Sequence, residues 1–190
     1  MFQKFEDVKM IDTSKMDTSE VLEIAKKYAE ENGILNVVVA TTTGKTGVLA
    51  SNVFRKGFNL VAVTHSTGFK QKGEQELLDE NRQRMLSNNV RIFTGPMIFH
   101  SWNDYYRKKC GSITPTTIIA DTLRIFGQGT KVAVEIIAMA ADAGLIPSKP
   151  VMSIAGTDHG ADTVILAEST NSKRLFDMKV IDVIAKPREW

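Results

Sequence analysis

Short apolar runs alternate with amphipathic stretches along most of this chain. Residues Asn36 to Ala40 and Phe58 to Thr64 are rich in β-branched side chains and predict two strands. Between them, residues Gly44 to Arg55 carry their apolar positions at helical spacing. The three segments together predict a strand–helix–strand unit.

A helix is predicted on each side of this unit. Asp17 followed by Glu20 is typical of a capping box, and the helix that it starts can end at Gly33. After the unit, the polar stretch STGFKQKGEQELLDENRQRMLSNN indicates a charged, exposed helix. That helix leads to a short strand predicted at Val90 to Thr94.

The second half repeats the alternation. TPTTIIADTLRIFG has a threonine and proline suited to a helix start, and GTKVAVEIIAMAADAGL is apolar on nearly every face, so it predicts a buried helix. PVMSIAG and TVILAEST predict strands on either side of a turn, and a last strand is expected at Lys179 to Ala185. Strands alternating with helices predict an α/β sandwich with a mostly parallel sheet and helices on both faces. With no repeat and no long linker, one domain over residues 1–190 is expected.

Composition and charge narrow the classes of function. With 24 Lys+Arg against 22 Asp+Glu, the formal charge of +2 gives no large field to attract nucleic acid or an anionic membrane. The first residues lack a signal-peptide pattern and no stretch has the length of a membrane span, so a soluble, cytoplasmic protein is expected. Cys110 is the only cysteine, which excludes an internal disulfide, and it is expected to be a small buried hydrophobe.

The loop after the first buried strand is the main candidate binding site. It sits where open α/β sheets bind ligands, at the carboxyl end of a strand and the start of a helix, where free N–H groups attract anions. Hydroxyls, a lysine and a glycine all suit a phosphoryl group. The alternative is that threonines only cap the helix and glycine makes the turn. The candidate residues are Thr41, Thr42, Thr43, Gly44, Lys45 and Thr46.

Known phosphate motifs limit the identity of the ligand. A Walker A loop needs glycine where this chain has Val39. The dinucleotide-binding motif G-x-G-x-x-G does not match the threonine loop either. It also does not match the segment that starts at Gly127, where Val132 replaces the third glycine. The pattern T-x-T-G-x-T from Thr41 to Thr46 resembles instead the phosphate loop of flavodoxins, which bind flavin mononucleotide (FMN) at a strand end.

Other candidates follow the ends of the neighbouring strands. The segment THSTGF should lie beside the threonine loop, with aromatic rings that can pack against a flat ligand, although His65 can equally close a turn. AGTDHGAD offers backbone donors and carboxylates, although turn chemistry explains it as well. From these two segments the candidates are Thr64, His65, Gly68 and Phe69, and Asp158, His159, Gly160 and Asp162.

Glu135 is the sole acid inside the apolar helix. A buried carboxylate needs a partner, so we expect it to accept a hydrogen bond from a loop N–H or from the ligand, with a structural role favoured over catalysis. No His, Asp or Cys spacing matches a metal motif, so no metal site is predicted.

The aromatic segment FHSWNDYY, residues Phe99 to Tyr106, has poor periodicity. Amphipathic aromatic residues suit a lid over the site or a subunit interface, and the second of these leaves formation of a homo-oligomer open. Ordinary packing is the favoured interpretation.

A family resemblance covers the chain from about Asp17 onward. VVVATTTGKTGVLASNVFRKGFNLVAVTHSTGF is similar to the carboxyl-terminal domain of pyruvate kinase, in which a comparable loop holds a phosphate of a sugar bisphosphate. KVAVEIIAMAADAGL and SIAGTDHGADTVILAEST resemble a stand-alone family of such domains, which is associated with FMN. The resemblance implies a three-layer α/β/α sandwich with one antiparallel edge strand and FMN as cofactor. It does not include the catalytic half of pyruvate kinase, so kinase activity is not implied.

Three functions are consistent with the sequence. The first is an FMN-binding protein, with a redox role that the cofactor would supply. The second is a non-enzymatic sensor of a phosphorylated metabolite such as a sugar bisphosphate. The third is a phosphosugar enzyme using His65, His159 or a nearby carboxylate as acid or base. FMN binding is the favoured hypothesis, and whether the chain is an enzyme stays open.

Overall fold

A seven-stranded sheet forms the centre of the structure, a computed structural model that describes residues 9–189. Its strands are β1 (Ile11–Asp12), β2 (Asn36–Ala40), β3 (Asn59–Val63), β4 (Arg91–Phe93), β5 (Pro150–Ala155), β6 (Thr163–Glu168) and β7 (Lys179–Lys186). Across the sheet they are ordered β1-β7-β6-β5-β2-β3-β4. The β-branched runs that predicted β2 and β3 correspond to these two strands, and the predicted last strand corresponds to β7.

The sheet is mostly parallel, as predicted. Strands β5, β2, β3 and β4 are parallel neighbours, while β6 is antiparallel to both β5 and β7. The antiparallel strand lies third from one edge and not at the edge itself, because β7 returns beside β6 and β1 then pairs with β7. The mixed α/β fold class is therefore confirmed, and the antiparallel strand is internal.

Helices cover both faces of the sheet. They are α1 (Thr18–Glu31), α2 (Lys45–Val53), α3 (Asp79–Ser87), α4 (Ser101–Cys110), α5 (Pro115–Arg124) and α6 (Gln128–Asp142). Helices α1, α2 and α3 contribute to one apolar core, and α5 and α6 to the other. Because strand side chains alternate, Val37 and Val39 enter the first core and Val38 enters the second. The three-layer α/β/α arrangement is confirmed. No helix within residues 9–189 has the length and apolar character to cross a membrane.

Local sequence explains where two of the helices begin. The Asp17 carboxylate accepts from the N–H of Glu20 at 3.0 Å, and the Glu20 carboxylate accepts from the N–H of Asp17 at 2.8 Å, which completes the predicted capping box. At α5, the Thr114 hydroxyl accepts from the N–H of Thr117 at 3.3 Å, and proline occupies the first helical position.

The aromatic segment differs from its prediction. Residues 101–110 form the helix α4, none of whose residues is buried, so the favoured interpretation of packing is wrong for most of this segment. Trp102 is 76% exposed, and of the predicted segment only Phe99, just before the helix, is buried. Its aromatic residues Trp102, Tyr105 and Tyr106 follow helical spacing but are exposed, so no face of α4 is buried against the other described residues. For the same reason Cys110, at its last position, is exposed and not buried as expected.

The order of the central strands determines where a ligand can bind. β5, β2 and β3 are adjacent and parallel, so the loops that follow them emerge at the same edge of the sheet. After β2 the chain enters α2 in one layer, whereas α6, which precedes β5, lies in the opposite layer. A crevice outside the carboxyl ends of strands at such a change of layer is the usual ligand position in open α/β sheets.

Candidate functional site

A cavity of about 940 Å³ opens at this edge of the sheet. Its volume lies within the range of small-molecule sites, about 300–1,000 Å³. The loops after β2, β3 and β5 and one face of α6 form its walls. Of the residues predicted from the sequence, it is lined by Thr41, Thr42, Thr43, Lys45, Thr46, Thr64, His65, Phe69, Glu135, Asp158, His159 and Gly160. Gly44, Gly68 and Asp162 lie outside its lining.

The threonine loop presents unpaired donors at the start of α2. Within residues 9–189, the N–H groups of Lys45 and Thr46 have no hydrogen-bond acceptor, as is usual at a helix start. Thr41 differs from its neighbours, because it is buried and its hydroxyl accepts from the N–H of Gly47 at 3.2 Å. The loop therefore combines one structural threonine with open hydroxyl and N–H donors that suit an anion.

Gly44 has a packing role and does not line the cavity. Its φ of 93° is in the left-handed region, and a Cβ placed on it would lie 2.6 Å from Asn81 Cβ and 2.7 Å from Leu77 Cδ1. The Thr43 carbonyl accepts from the Asn81 side chain at 3.0 Å and from the N–H of Leu78 at 3.2 Å. Glycine is thus needed where the loop meets the segment that starts α3, while its predicted role in letting the backbone approach a phosphate stays a prediction.

Aromatic rings form a second wall. The ring centroids of His65 and Phe69 lie 4.2 Å apart at an interplanar angle of 42°, and Phe69 and His100 are 5.8 Å apart at 77°. Glu76 orients His65, since its Oε2 lies 2.9 Å from His65 Nδ1. Gly68 stays outside the cavity, where its φ of +85° makes the turn that presents Phe69. This wall offers flat surfaces to a planar ligand.

The loop after β5 contributes polar, exposed groups. Asp158 and His159 line the cavity with side chains that are 82% and 92% exposed, and His159 Nε2 lies 3.2 Å from Asp158 Oδ2. Asp162 lines a separate hollow of about 400 Å³. Its carboxylate accepts from the N–H of Thr157 at 2.8 Å and from the Thr163 hydroxyl at 2.5 Å, so it fixes the base of the loop and does not face the main cavity.

One face of α6 forms the wall that faces these loops. The lining residues recur every three or four positions: Gln128, Lys131, Val132, Glu135, Ile136 and Met139. Lys131 and Glu135 are almost completely shielded from bulk solvent, and Lys131 Nζ lies 2.5 Å from Glu135 Oε2. Glu135 Oε1 accepts from the N–H of Phe99 at 2.7 Å, which confirms the expected bond from a loop N–H.

His100 completes this polar cluster. Its Nδ1 lies 3.3 Å from Lys131 Nζ and 3.8 Å from Glu135 Oε1, so only the first contact is short enough for a hydrogen bond. Because an ammonium can only donate, His100 Nδ1 can accept this bond only in the tautomer that carries its proton on Nε2.

Burial and pairing have opposite effects on the charges of this cluster. Burial lowers the pKa of Lys131, and the neighbouring Glu135 carboxylate offsets this only in part. Burial would raise the pKa of Glu135, but contacts with His100, the Lys131 ammonium and the Phe99 N–H outweigh it and hold that pKa below its ordinary value. The pair is therefore an ion pair inside an otherwise apolar helix.

Sequence reasoning missed Lys131, Gln128 and His100. Gln128, Lys131 and Glu135 lie on one helical stripe of an apolar segment, and this spacing could have indicated all three. No sequence signal placed His100 here, because the loop before α4 carries it to α6. Within residues 9–189, no three His, Cys, Asp or Glu side chains are grouped closely enough to hold a metal ion.

Comparison with known proteins finds partial similarity to solved structures. No protein-family model matches the chain. A solved pyruvate kinase from Cryptosporidium parvum is 16% identical over 82% of this chain, with a TM-score of 0.42, and this chain spans only 23% of it. The NH3-dependent NAD synthetase of Campylobacter jejuni is 16% identical over 78% of this chain and 58% of its own, with a TM-score of 0.40. At these identities and TM-scores, the matches say nothing about what this chain binds.

Proposed function

We propose that this chain binds a phosphorylated small molecule with a planar ring, and that FMN is the ligand. The observation that carries the proposal is the combination of an anion-binding loop and an aromatic wall in one cavity of about 940 Å³. Each feature alone is common in α/β proteins. Together they match a ligand that has a phosphate at one end and a planar ring at the other. The enclosed volume is large enough for both ends.

The phosphate end would lie at the loop of residues 41–46. The open N–H groups of Lys45 and Thr46 stand at the positive end of α2, a helix of nine residues. Thr42, Thr43 and Lys45 line the same cavity, and their hydroxyls and ammonium are groups that can donate to a phosphate. Hydrogen bonds from these groups to a phosphate are charge-assisted, at about 1.5–3 kcal/mol each.

The ring end would lie against His65, Phe69 and His100. Phe69 is 40% exposed although it is a large apolar side chain, and its ring lies beside both imidazoles. A planar ligand would cover this exposed aromatic surface. Bound FMN would supply electron-transfer chemistry, while the chain would hold the phosphate, orient the ring and shield one face of it from water.

A sensor of a phosphorylated metabolite is the second candidate. Besides the paired Lys131, two lysines line the cavity, Lys45 in the threonine loop and Lys70 next to Phe69 of the aromatic wall. These two lysines suit the two phosphate groups of a sugar bisphosphate. Such a ligand would leave the aromatic wall uncovered, which is why FMN is favoured.

Equilibrium titration with FMN and with riboflavin tests the proposal directly. Quenching of flavin fluorescence should show binding of FMN, and riboflavin should bind about a hundredfold or more weakly, since it lacks at least two charge-assisted bonds. An absorption spectrum and mass spectrometry of molecules released from the purified protein would identify any ligand carried through purification. Absence of binding to either flavin, together with binding of a sugar bisphosphate, would overturn the FMN proposal in favour of the sensor.

A further inference from the structure

His65 lines the cavity with one ring nitrogen free. Its Nδ1 lies 2.9 Å from Glu76 Oε2, and both residues belong to the cavity wall. The other nitrogen, Nε2, has no hydrogen-bond partner within residues 9–189. The side chain is 32% exposed, and neither of its nitrogens is both buried and unpaired, so solvent reaches Nε2. This nitrogen therefore has surface with which to contact a ligand.

Glu76 determines which kind of hydrogen bond the free nitrogen can make. An ionised carboxylate can only accept, so His65 Nδ1 donates to Glu76, and in the neutral imidazole the lone pair is then on Nε2. The imidazole also packs against Phe69 at a centroid distance of 4.2 Å, which limits rotation of the ring. The pair thus presents an oriented acceptor, which suits a donor such as a hydroxyl.

The segment that contains His65 is held in place without the imidazole. The Gln75 side-chain amide donates to the His65 carbonyl at 3.2 Å and to the Thr67 hydroxyl at 3.3 Å. The N–H of Gly68 donates to the Glu74 carbonyl at 2.8 Å. Because a partly exposed pair such as His65 and Glu76 adds little to stability, a role in ligand binding explains it better than a structural one.

His65 lies between the two parts of the proposed site. Ala40 and Val63 are the last paired residues of the neighbouring parallel strands β2 and β3, and the N–H of Thr41 donates to the Val63 carbonyl at 2.9 Å. His65 therefore follows β3 next to the threonine loop, while its ring contacts Phe69 of the aromatic wall. A ligand with its phosphate in the loop and its ring on the wall would pass its connecting chain beside this imidazole.

We propose that His65, oriented by Glu76, accepts a hydrogen bond from a hydroxyl on the chain that connects the phosphate of the ligand to its ring. The inference rests on the proposed binding of a ring phosphate. The ribityl chain of FMN carries hydroxyls between its phosphate and its ring, so the site selects a polyol chain over an alkyl chain of the same length. His65 is the specificity residue, and Glu76 is a positioning residue.

An FMN analogue with an unsubstituted pentyl chain in place of the ribityl chain tests the inference, because it keeps the phosphate and the ring. Wild-type protein should bind this pentyl analogue about threefold or more weakly than FMN, as expected for loss of one hydrogen bond between uncharged groups. The matched variant His65→Phe keeps a flat ring beside Phe69 but has no acceptor. Its affinities for the two ligands should lie within about twofold of each other, while its preference for FMN over riboflavin persists.

Two variants of Glu76 test its positioning role. Glu76→Ala leaves His65 Nδ1 without its acceptor and should reduce the preference for FMN over the pentyl analogue. Glu76→Gln keeps a side-chain oxygen that can accept from Nδ1 and should retain most of that preference. The same preference in Glu76→Ala as in the wild type would show that Glu76 does not orient the imidazole.

The outcomes separate this inference from the proposed function. Equal binding of FMN and the pentyl analogue by the wild type would overturn the inference and leave FMN binding intact. Undiminished preference in His65→Phe, shown to be folded by circular dichroism, would assign the hydroxyl to another residue. A wild type that binds a sugar bisphosphate but no flavin would overturn the proposed function, and with it the assignment of this hydroxyl to FMN. The wild-type comparison requires no variant, so the inference can be refuted even if no variant folds.

Discussion

The Lys131 ammonium lies 2.5 Å from the Glu135 carboxylate, one helical turn away in α6, with the two side chains 0% and 1% exposed. Because neither side chain of this ion pair is accessible to water, each buried charge is stabilised mainly by contact with the other. The energetics of the pair can be measured independently of any ligand.

Removing either charge alone should destabilise the protein strongly. Lys131→Met and Glu135→Gln each leave one buried group without its partner, so each should lower the free energy of unfolding by about 3–5 kcal/mol. The double variant Lys131→Met/Glu135→Gln should lose less than the sum of the two, with a coupling of about 0.5–3 kcal/mol. Urea unfolding of the four proteins measures this cycle. Additive losses would show that the two groups do not stabilise each other.

The contribution of Glu135 to stability should depend on pH in the acid range. Its pKa in the folded protein is held below the ordinary 4.5, so its stabilising effect is complete above that value and is lost as the pH falls through the folded pKa. The difference in unfolding free energy between wild type and Glu135→Gln should therefore be constant near pH 6 and shrink well below pH 4.5.

Lys131 and His100 are the titratable groups that face this carboxylate. Repeating the urea series in a His100→Asn background cancels the titration of the imidazole. A difference that stayed constant from pH 6 down to pH 3 would show that the pKa of Glu135 is not lowered in the folded protein.

The sequence predicted those features that depend on local pattern. The strands β2 and β3 follow from their β-branched runs, and the start of α1 follows from Asp17 and Glu20, because in each case neighbouring residues decide the structure. The sequence also predicted that the loops after β2, β3 and β5 meet, because the carboxyl ends of neighbouring parallel strands lie at the same edge of the sheet.

Features that depend on distant contacts were not predictable. The packing of Gly44 against Leu77 and Asn81 joins positions more than thirty residues apart, so the sequence alone suggested a ligand as the reason for glycine. His100 reaches Lys131 only because the chain before α4 folds over α6. Cys110 is exposed because α4 docks no face, and this cannot be inferred from a single small side chain.

Replacement of Gly44 should test its packing role, with Gly57 as a matched control. Both have positive φ, 93° and 106°, so alanine is strained at either by about 1–2 kcal/mol. A Cβ at Gly57 meets nothing within 4 Å, whereas one at Gly44 runs into Asn81 and Leu77. Gly44→Ala should therefore cost about 1–3 kcal/mol more than Gly57→Ala in urea unfolding. Equal costs would mean that the contact of this loop with Leu77 and Asn81 tolerates the extra methyl group.

Loss of the Phe69 ring should weaken FMN binding without unfolding the protein. Because stacking of a planar base on an aromatic side chain contributes about 1–3 kcal/mol, Phe69→Ala should reduce FMN affinity roughly five- to a hundredfold. Phe176, which is 85% exposed and outside the cavity lining, provides the control Phe176→Ala. Fluorescence titration of both variants measures the effect. Similar affinities in the two variants would remove Phe69 from the ring site.

Loss of the side-chain hydroxyl should lower the stability of the protein at Thr41 and weaken ligand binding at the neighbouring Thr42. Thr41 accepts from the buried N–H of Gly47 at 3.2 Å, so Thr41→Val leaves that group unpaired and should cost about 1–3 kcal/mol of stability. Thr41→Ser, which keeps the hydroxyl, should recover most of the loss. Thr42 lines the cavity, and no other group within residues 9–189 bonds its hydroxyl.

Thr42→Ala should therefore change stability by only about 0.5 kcal/mol, as is usual away from the core. If its hydroxyl holds the phosphate, the same change should weaken FMN binding about tenfold, as expected for one hydrogen bond to a charged group, and leave riboflavin binding unchanged. Urea unfolding and paired titrations with the two flavins measure both properties. Because riboflavin shares the ring and lacks the phosphate, equal weakening of both flavins would place Thr42 at the ring. Unchanged affinity for both, in Thr42→Ala and also in Lys45→Gln, would mean that the loop of residues 41–46 holds no phosphate.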